Sequence, residues 1–342
     1  MKIIHAKFLL KILTRPSLCY STLFILFQIH NSEAQLIQTG LNESGTFAVG
    51  FNPSVIKEKK IKFITRHISN KPDNQLILDK GLIEQEEFDT TGHIISSYFT
   101  EIKSTAEKDI PVYRITGKGI RIPSTKTEYS YLYDTTFVFY KYDSLGRLKI
   151  KRNSVVGREI FKCFYYEYDL GGNIKKETVT REVNKAENIK EYTTGMQTVL
   201  SVESFSYENL IPGQIRKKFF NDENIVYKEG IIHTDEQGHV LEESFDFVVT
   251  WIKERNNYKY NDKGLLIEKN VYSNEGYSIQ EKFEYETDNT GLITGLILFK
   301  DGIKTNTLSF LYDNSTKLLQ SEVNRDYKNL SIKITRYDYI CF

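Results

Sequence analysis

The sequence is poor in residues that favour helices or interrupt regular structure. Its 342 residues include only 6 Pro and 2 Met, and Ala is nearly absent beyond the first few dozen positions. Aromatic residues are abundant instead, with 23 Tyr and 21 Phe. Aromatic and β-branched residues suit the half-buried surface of a sheet, whereas Ala-rich segments suit helices. The composition therefore predicts an all-β protein of one large domain or two ordinary ones.

An excess of charge of one sign is missing too. The chain has 46 Lys and Arg against 45 Asp and Glu, which gives a formal net charge of +1. Proteins that bind nucleic acid usually present a basic face. We therefore expect a mixed, solvated surface and no nucleic-acid partner.

Catalytic and metal-binding motifs are also missing. The sequence has no GxSxG, HExxH, P-loop or GxGxxG motif in a suitable context, and no CxxC motif or Cys/His cluster. Gly117-Lys118-Gly119 is too short to act as a phosphate-binding loop. The sequence therefore gives no reason to expect an enzyme, a cofactor or a metal ion.

The first 34 residues have the three parts of a secretory signal peptide. A basic region between Lys2 and Arg15 precedes the apolar run 18–27, and Ser32-Glu33-Ala34 offers small residues where a signal peptidase reads the chain. The mature chain would begin at Gln35. The apolar run is too short to span a membrane comfortably, so we expect membrane association only if this segment is retained. The protein is predicted to be exported to the periplasm, the outer-membrane surface or the medium.

Cleavage at that position would leave two of the three cysteines, Cys163 and Cys341. Export permits a disulfide between them. Nothing in their spacing requires one, so the sequence leaves both a disulfide and two free thiols open.

A short phrase recurs along the chain: an aromatic residue, Asp or Asn, two variable residues, Gly, one variable residue and an aliphatic residue. Copies are about 26 residues apart, as from Gly146 to Gly172 and from Gly238 to Gly264. A fixed period of this length is typical of repeats that each form one supersecondary unit. The clear copies begin at Phe88, Tyr142, Tyr168 and Tyr260, and the weaker ones near Tyr207, Asp235, Asp288 and Tyr312.

Each repeat is predicted to be a β-hairpin. Asp at the start of the turn can bond its own backbone, and Gly supplies the positive φ that closes the turn. A second turn signal falls about half a period later at Gly157, Gly276 and Gly302. The chain should therefore form an antiparallel meander.

Two intervals depart from the period. Gly92 and Gly146 are two periods apart, and Gly119-Ile120 stands where an eroded copy is expected. The interval after Gly172 contains extra residues, which predicts an extended turn within 181–203.

One hairpin has a register that follows from the sequence. If Asn274-Glu275-Gly276 is a three-residue loop, Ser273 faces Tyr277 and the side chains on one face pair apolar with apolar and Lys with Glu. The predicted pairs are Val271–Ile279, Lys269–Glu281, Ile267–Phe283 and Leu265–Tyr285.

The two best copies resemble the YD repeats of RHS-type proteins. They run from Tyr140 to Leu148 and from Tyr166 to Ile174, with Gly157 between them, in the pattern YxYDxxGRL…G…YxYDxxGNI. The resemblance implies a long spiralling sheet, in a family whose members include surface proteins, carbohydrate binders and toxin shells. We expect a short secreted form without a toxin domain and with no catalytic residues, because the glycine-rich core motif and the toxin domain are both missing.

The predicted architecture is all-β: a large curved antiparallel meander sheet of ~26-residue β-hairpin repeats, open or partly rolled. Residues 35–75 are predicted to be a lead-in or capping segment, because the edge of an open sheet must be blunted. Residues 76–342 are predicted to be the repeat domain.

Four polar side chains around one predicted turn are the strongest metal candidates. His233 and His239 flank Asp235-Glu236-Gln237-Gly238, and oxygen and nitrogen ligands at one hairpin could bind a metal ion. The alternative is an exposed polar turn in which Asp and Gly serve backbone geometry. We favour the turn and assign no metal site.

Paired carboxylates offer no general acid and base. Glu86-Glu87 and Glu242-Glu243 are adjacent in sequence, so on a strand their side chains point to opposite faces. Glu281 lies within an aromatic stripe, but its predicted pairing with Lys269 explains it more simply. We assign no catalytic residue.

Tyrosine stripes are the most suggestive feature for binding. Tyr131 with Tyr133, and Tyr140 with Tyr142, could present flat rings to a sugar or a protein. The alternative is that these rings form a core face or stack between repeats. We predict carbohydrate or an envelope protein as the partner and assign no binding residues.

The sequence thus predicts a non-catalytic exported envelope or surface protein, a binding or structural scaffold that uses its curved sheet. One alternative is an outer-membrane β-barrel, because the last strand ends in the aromatic residue Phe342. Another is a secreted hydrolase of unrecognised type, for which the sequence contains no catalytic constellation.

Overall fold

The computed structural model describes residues 35–41, 46–115, 117, 119–156, 159–188 and 191–342. The predicted signal peptide, residues 1–34, and the turn residue Gly157 lie outside the described residues. Within the described ranges, no helix is long and apolar enough to cross a membrane.

The described chain forms a short hairpin, one helix and a long antiparallel meander. The hairpin consists of β1 (Ile37–Leu41) and β2 (Phe47–Phe51), and α1 (Pro53–Glu58) follows it. Asn52 caps the helix by accepting a hydrogen bond from the Ser54 amide at 3.0 Å. The meander strands are β3 (Ile61–Pro72), β4 (Leu78–Phe88), β5 (Ile94–Ile115), β6 (Arg121–Tyr142), β7 (Leu148–Val156), β8 (Ile160–Tyr168), β9 (Ile174–Asn184), β10 (Thr194–Ile211), β11 (Gln214–Phe220), β12 (Val226–Thr234), β13 (Val240–Phe247), β14 (Lys253–Tyr260), β15 (Leu266–Ser273), β16 (Ser278–Thr287), β17 (Ile293–Lys300), β18 (Ile303–Tyr312), β19 (Leu319–Asp326) and β20 (Ser331–Cys341).

The meander closes into a barrel of 18 strands within the described residues. The last strand β20 pairs antiparallel with the first strand β3, from Ser331 opposite Pro72 to Cys341 opposite Ile61. The antiparallel meander is confirmed, whereas the prediction of an open or partly rolled sheet is wrong. Closure pairs the amide and carbonyl groups that an open sheet would leave free along both edges.

The repeated phrase occupies one end of the barrel. In a meander, alternate turns lie at the same end, and the eight described turns that carry copies of the phrase all follow even-numbered strands, from β4 to β18. We call this end the Tyr-Asp end. The remaining turns lie at the opposite end.

The Asp of the phrase shapes the turn, as predicted. Oδ1 of Asp143 accepts hydrogen bonds from the amides of Leu145 and Arg147 at 2.9 and 3.0 Å. Gly146 closes the same turn at a φ of +76°, which a residue with a side chain adopts only at a cost. Asn261 accepts the two equivalent hydrogen bonds in its own copy.

A tyrosine hydroxyl ties several repeats to the one before. The Tyr168 hydroxyl donates a hydrogen bond to the carbonyl of Leu148 at 2.6 Å, and Leu148 is the aliphatic residue of the preceding copy. The same bond recurs around the barrel, from Tyr142 to Ile94, Tyr207 to Ile174, Tyr285 to Leu266, Tyr312 to Ile293 and Tyr339 to Leu319.

The residue after the glycine of the phrase adds a stacking contact. His93 stacks on Tyr142 with ring centroids 4.6 Å apart, and His239 stacks on Tyr260 at 4.7 Å. The Arg147 guanidinium lies 4.4 Å from the Tyr168 ring centroid in the equivalent place. These tyrosines therefore make contacts between neighbouring repeats.

We expect the Tyr168→Phe substitution to lower the free energy of unfolding by about 1 kcal/mol, because it deletes one hydroxyl and leaves the Leu148 carbonyl without its donor. Urea unfolding followed by circular dichroism measures the change. Tyr113→Phe is the control, because Tyr113 is 68% exposed and its hydroxyl loss should change little. Equal midpoints for the two variants would contradict a stabilising role for the hydroxyl.

The predicted register of one hairpin is confirmed near its turn. Val271 pairs with Ile279 and Lys269 pairs with Glu281. Gly276 has a φ of +88°, and its amide donates to the Ser273 carbonyl at 3.1 Å. The two predicted apolar pairs farther from the turn, Ile267–Phe283 and Leu265–Tyr285, lie beyond the last registered pair of this ladder, Glu268–Lys282.

Both irregular intervals have a structural cause. The eroded copy predicted at Gly119-Ile120 is wrong, because one long hairpin, β5 and β6, pairs from Ser96–Phe139 to Ile115–Arg121 in place of two repeats. The extended turn predicted within 181–203 is the connection of residues 185–193 between β9 and β10.

Residues 35–41 and 46–58 lie on the concave side of the sheet, and we call them the plug. Phe47 stacks on Phe283 of β16 with centroids 4.2 Å apart, and Phe51 contacts Phe88 of β4 edge-on at 6.4 Å. Strands β16 and β4 are six strand spacings apart along the wall, about 29 Å, whereas Phe47 and Phe51 belong to one five-residue strand. So short a strand reaches both places only across the inside of the barrel. The first barrel strand, β3, begins three residues after α1.

Candidate ligand-binding site in the lumen

Alternation along the strands defines which side chains face the lumen. Phe283 contacts the plug, so its side chain points into the lumen. Paired residues on neighbouring strands point to the same face, and following the pairs from Phe283 assigns the lumenal face of all 18 described strands. A closed barrel of 16–18 strands is too wide for wall side chains alone to fill. The lumen is therefore the natural place for a binding site, with the plug occupying its Tyr-Asp end.

The plug packs against the wall at that end through an apolar cluster. Gln35 also fastens it, since its Oε1 accepts a hydrogen bond from the Ile293 amide at 3.0 Å. The buried members of the cluster come from the plug and from the wall: Leu36, Ile37, Val55, Ile56, Ile61, Ile64, Phe88, Tyr258, Leu266, Phe283, Ile293, Leu296, Leu308, Phe310 and Leu319.

An arginine sits between the plug and the middle of the lumen. The Arg66 guanidinium bonds Glu84 at 3.1 Å and also Glu86, and it lies 5.5 Å from the Phe51 ring centroid of the plug. Burial raises the pKa of Glu86, against the opposing effect of Arg66. Two cavities of about 260 and 340 Å³ meet at this side chain. Arg66 thus joins the plug to the polar part of the lumen.

The second cavity is lined by both plug and wall. Phe47 and Val49 of the plug bound it on one side, and Lys333, Asn324 and Glu84 supply polar groups on the other. The space is large enough for ordered water or a small ligand.

The half of the lumen away from the plug carries a cationic aromatic surface. Lys217 Nζ lies 4.4 Å from the Phe205 ring centroid and 4.6 Å from that of Phe219. Lys228 Nζ lies 4.8 Å from Phe219, 4.0 Å from Phe245 and 4.8 Å from Phe247. We call these two lysines and four phenylalanines the Lys–Phe site.

Burial shapes the electrostatics of the Lys–Phe site. It lowers the pKa of both Lys217 and Lys228, and it raises the pKa of Glu203, a carboxyl group that acts electrostatically on both lysines. The Tyr227 hydroxyl donates a hydrogen bond to Glu203. All six side chains of the site are half-buried, so part of each is accessible to solvent or a ligand.

The outer wall is strongly polar over four consecutive strands, β13 to β16. Their outward residues pair by opposite charge, as in Arg255 with Glu242 at 2.6 Å and Lys259 with Glu268 at 2.9 Å. The outward set contains no aliphatic residue: Glu242, Ser244, Asp246, Lys253, Arg255, Asn257, Lys259, Glu268, Asn270, Tyr272, Gln280, Lys282, Glu284 and Glu286.

A buried carboxylate lies on the outer wall under the 185–193 connection. Glu182 is 0% exposed and accepts hydrogen bonds from the hydroxyls of Tyr165, Tyr192 and Thr180, the last at 2.8 Å, and from the Gln197 amide, also at 2.8 Å. Tyr192 belongs to the connection. Glu182 thus holds the connection against the wall.

The candidate metal ligands and the two cysteines of the sequence form no functional site. His239 Nδ1 lies 2.9 Å from Asp235 Oδ2 in its own turn, whereas His233 is exposed on the outer wall. No group of three or more potential metal ligands occurs among the described residues. Cys163 is buried and Cys341 exposed, and both are free thiols. Burial raises the pKa of Cys163 to about 12, which makes it an unreactive thiol.

The paired glutamates divide between the two faces, as predicted. Glu86 bonds Arg66 in the lumen, whereas Glu87 accepts a hydrogen bond from Ser96 at 2.9 Å. Glu281 lies 3.9 Å from Lys269 Nζ, which confirms the predicted ion pair. One hydroxyl does lie beside a histidine, since Thr91 Oγ1 is 2.7 Å from His93 Nδ1. The same hydroxyl donates to Asp89 Oδ1 at 2.6 Å within the turn, so this contact is part of the turn and gives the hydrolase alternative no support.

The four tyrosines of the predicted stripes make different contacts. Tyr142 is used in repeat-to-repeat contacts, and the Tyr133 hydroxyl bonds the Lys80 carbonyl. Tyr131 lies under the Lys80 ammonium at 5.7 Å, and Tyr140 lies 6.0 Å from Lys151 Nζ.

Sequence reasoning missed Arg66, Lys217 and Lys228. The available signal was alternation: Lys217 shares a face with Phe219, and Lys228 stands opposite Phe247. A lysine inside an aromatic stripe marks a surface that is neither plain core nor plain solvent face.

No protein-family model matches the chain, and no curated protein matches it either. A crystal structure of a porin-like protein from Bacteroides uniformis is similar over 82% of this chain and 98% of that chain, with 9% identity and a TM-score of 0.34. The TcdB2-TccC3-Cdc42 crystal structure is similar over 72% of this chain but 14% of that chain, with 14% identity and a TM-score of 0.20. Likenesses this remote assign neither a family nor a function.

The predicted resemblance to the YD repeats of RHS-type proteins is wrong. The phrase does not belong to an open spiralling sheet, because the sheet is a closed antiparallel barrel of 18 described strands. The phrase instead supplies the turns and the hydroxyl contacts that hold one end of this barrel together.

Proposed function

We propose that the protein is a non-catalytic, exported β-barrel of the cell envelope that faces water and holds a small ligand in its plugged lumen. The polar outer wall of β13 to β16 carries the first part of the proposal. Its outward residues are charged or polar over the regularly paired part of each strand, as in Glu242–Asp246 of β13 and Glu268–Tyr272 of β15. The observation that supports a ligand is a lumen that combines open space, charge and half-buried aromatic rings.

The dimensions of the strands make the polar wall informative. An eight-residue strand such as β13 or β14 spans about 26 Å at about 3.3 Å per residue. The apolar band of a transmembrane barrel is about 25 Å tall, so the full outer face of these strands would have to meet lipid. Placing Glu242, Arg255 and Lys259 there would cost several kcal/mol, at about 2–4 kcal/mol for each Arg or Lys near the midplane.

An outer-membrane barrel is the second candidate. Closure of the sheet into one antiparallel ring favours it, because a membrane-spanning sheet must leave no free edge. The polar lumen is also typical of such barrels. The two candidates differ in the surface that surrounds the barrel, which is a measurable property.

Solubility separates the two candidates. We expect the full chain, expressed in an exporting bacterium, to be recovered in detergent-free buffer as a monodisperse species that stays in the supernatant when it is spun with liposomes. Recovery only in detergent, or insertion into liposomes with protease-protected strands, would reject the water-facing barrel and establish the second candidate.

Carbohydrate or envelope-protein binding stays a prediction from the sequence. A glycan array and a pull-down from envelope extracts test it on the same purified protein. Two clean negatives would restrict the function to the lumen.

A further inference from the structure

The Lys–Phe site is built from four neighbouring strands, β10 to β13, in the half of the lumen away from the plug. We propose that it binds an amphipathic organic anion, with the acidic head between the two ammonium groups and the apolar body on the phenylalanine rings. The inference deepens the proposed function and rests on it, because it names the class of ligand that the lumen holds.

The lysines provide the argument for an anion. Among the described residues, neither Lys217 nor Lys228 has a carboxylate oxygen within 4.0 Å. Both ammonium groups lie within 5 Å of the same ring, that of Phe219, so they are close neighbours. Glu203 and Glu243 act on both ammonium groups, Glu254 on Lys228 and Glu177 on Lys217, but all from beyond ion-pair distance. An anionic head between the two ammonium groups would make the direct, charge-assisted contacts that these carboxylates do not make.

The rings provide the argument for an apolar body. Phe205 and Phe219 meet edge to face at 5.5 Å, and Phe219 and Phe245 do so at 6.4 Å, which leaves a continuous aromatic surface. Four strands cover about 14 Å of wall, which is comparable to the length of an extended medium-length alkyl chain. A small inorganic anion would leave these rings in water, and a cationic ligand would be repelled by the lysines.

A fluorescent anion with a neutral counterpart tests the proposal directly. The probe is 8-anilinonaphthalene-1-sulfonate, and N-phenyl-1-naphthylamine has the same ring system without the sulfonate. We expect saturable binding of the sulfonate to the purified full chain in detergent-free buffer. The double variant Lys217→Met and Lys228→Met should weaken it at least about tenfold and leave the neutral compound within about twofold, because only the charge contacts are lost.

Lys218→Met is the matched control. Lys218 is the next residue on the same strand but faces the outer wall, where it pairs with Glu229 at 3.6 Å. This variant should bind both compounds like the wild type. The single variant Lys228→Gln provides a second reading if the double variant unfolds, and it should weaken sulfonate binding by several-fold. Competition by decanoate, but not by decanol, should displace the sulfonate.

Two results would overturn the proposal. Unchanged sulfonate affinity in a folded double variant would remove the lysines from the site, and equal losses in the Lys218→Met control would make the effect non-specific. If the barrel is soluble, either result contradicts only the ligand class and not the proposed function. Insertion into liposomes would instead reject the proposed function itself.

Discussion

Replacing Arg66 with Ala should destabilise the barrel by about 3 kcal/mol, because the substitution leaves two partly buried carboxylates without their counter-charge. Glu84 and Glu86 both bond the guanidinium, and all three side chains are at most 29% exposed. The substitution should also loosen the packing of the plug, since Arg66 stacks on Phe51. Urea unfolding measures the first effect, and protease sensitivity of residues 35–58 measures the second.

Two controls distinguish the effect of the unpaired charges from the effect of the lost side-chain volume. Arg216→Ala removes a partly exposed arginine that pairs with Glu208 on the outer wall at 2.9 Å, and it should cost less than about 1 kcal/mol. The triple variant Arg66→Met, Glu84→Gln and Glu86→Gln removes all three charges and should recover much of the loss. If Arg66→Ala lowers the free energy of unfolding no more than Arg216→Ala does, the contacts of Arg66 with Glu84 and Glu86 are well solvated and contribute little to stability.

The local rules of the fold could be predicted from the sequence. Asp143 and Gly146 indicate a turn by their own chemistry, and the register around Gly276 follows from pairing Lys269 with Glu281. Each of these features depends on residues close in sequence or directly opposite in one hairpin. The hydroxyl contacts between repeats were within reach as well, since the aromatic and the aliphatic positions recur together.

Closure could not be predicted, for a physical reason. The strand that closes the barrel, Ile61–Pro72, carries no copy of the phrase and pairs with residues about 270 positions away. Alternation along a strand defines two faces but does not say which is concave. Arg66, Lys217 and Lys228 were therefore unremarkable until the plug showed which face is the lumen.

The outer-wall carboxylate Glu182 is the second residue whose loss should have a large effect. Glu182→Ala should cost about 3 kcal/mol, because several buried donors lose their acceptor and the nearby Arg152, 14% exposed, loses its counter-charge. The connection of residues 185–193 should then leave the wall, and trypsin should cleave after Lys185 faster. Glu187→Ala, on the exposed part of the same connection, is the control and should change neither stability nor cleavage.

Acid should erase this difference. Burial opposes the charge of Glu182, but hydrogen bonds from Tyr165, Tyr192 and Thr180 outweigh it and hold the pKa of this carboxyl below its ordinary value. A carboxyl whose pKa is lower in the folded protein stabilises the fold above its unfolded pKa, about 4.3, and loses that contribution as the pH falls through the folded value. The stability gap between the wild type and Glu182→Ala should therefore be constant from about pH 5.5 to 8 and narrow below about pH 4. A gap that widens on acidification would mean that Glu182 is buried as the neutral acid, which donates a hydrogen bond to one of its hydroxyl partners instead of accepting one from it.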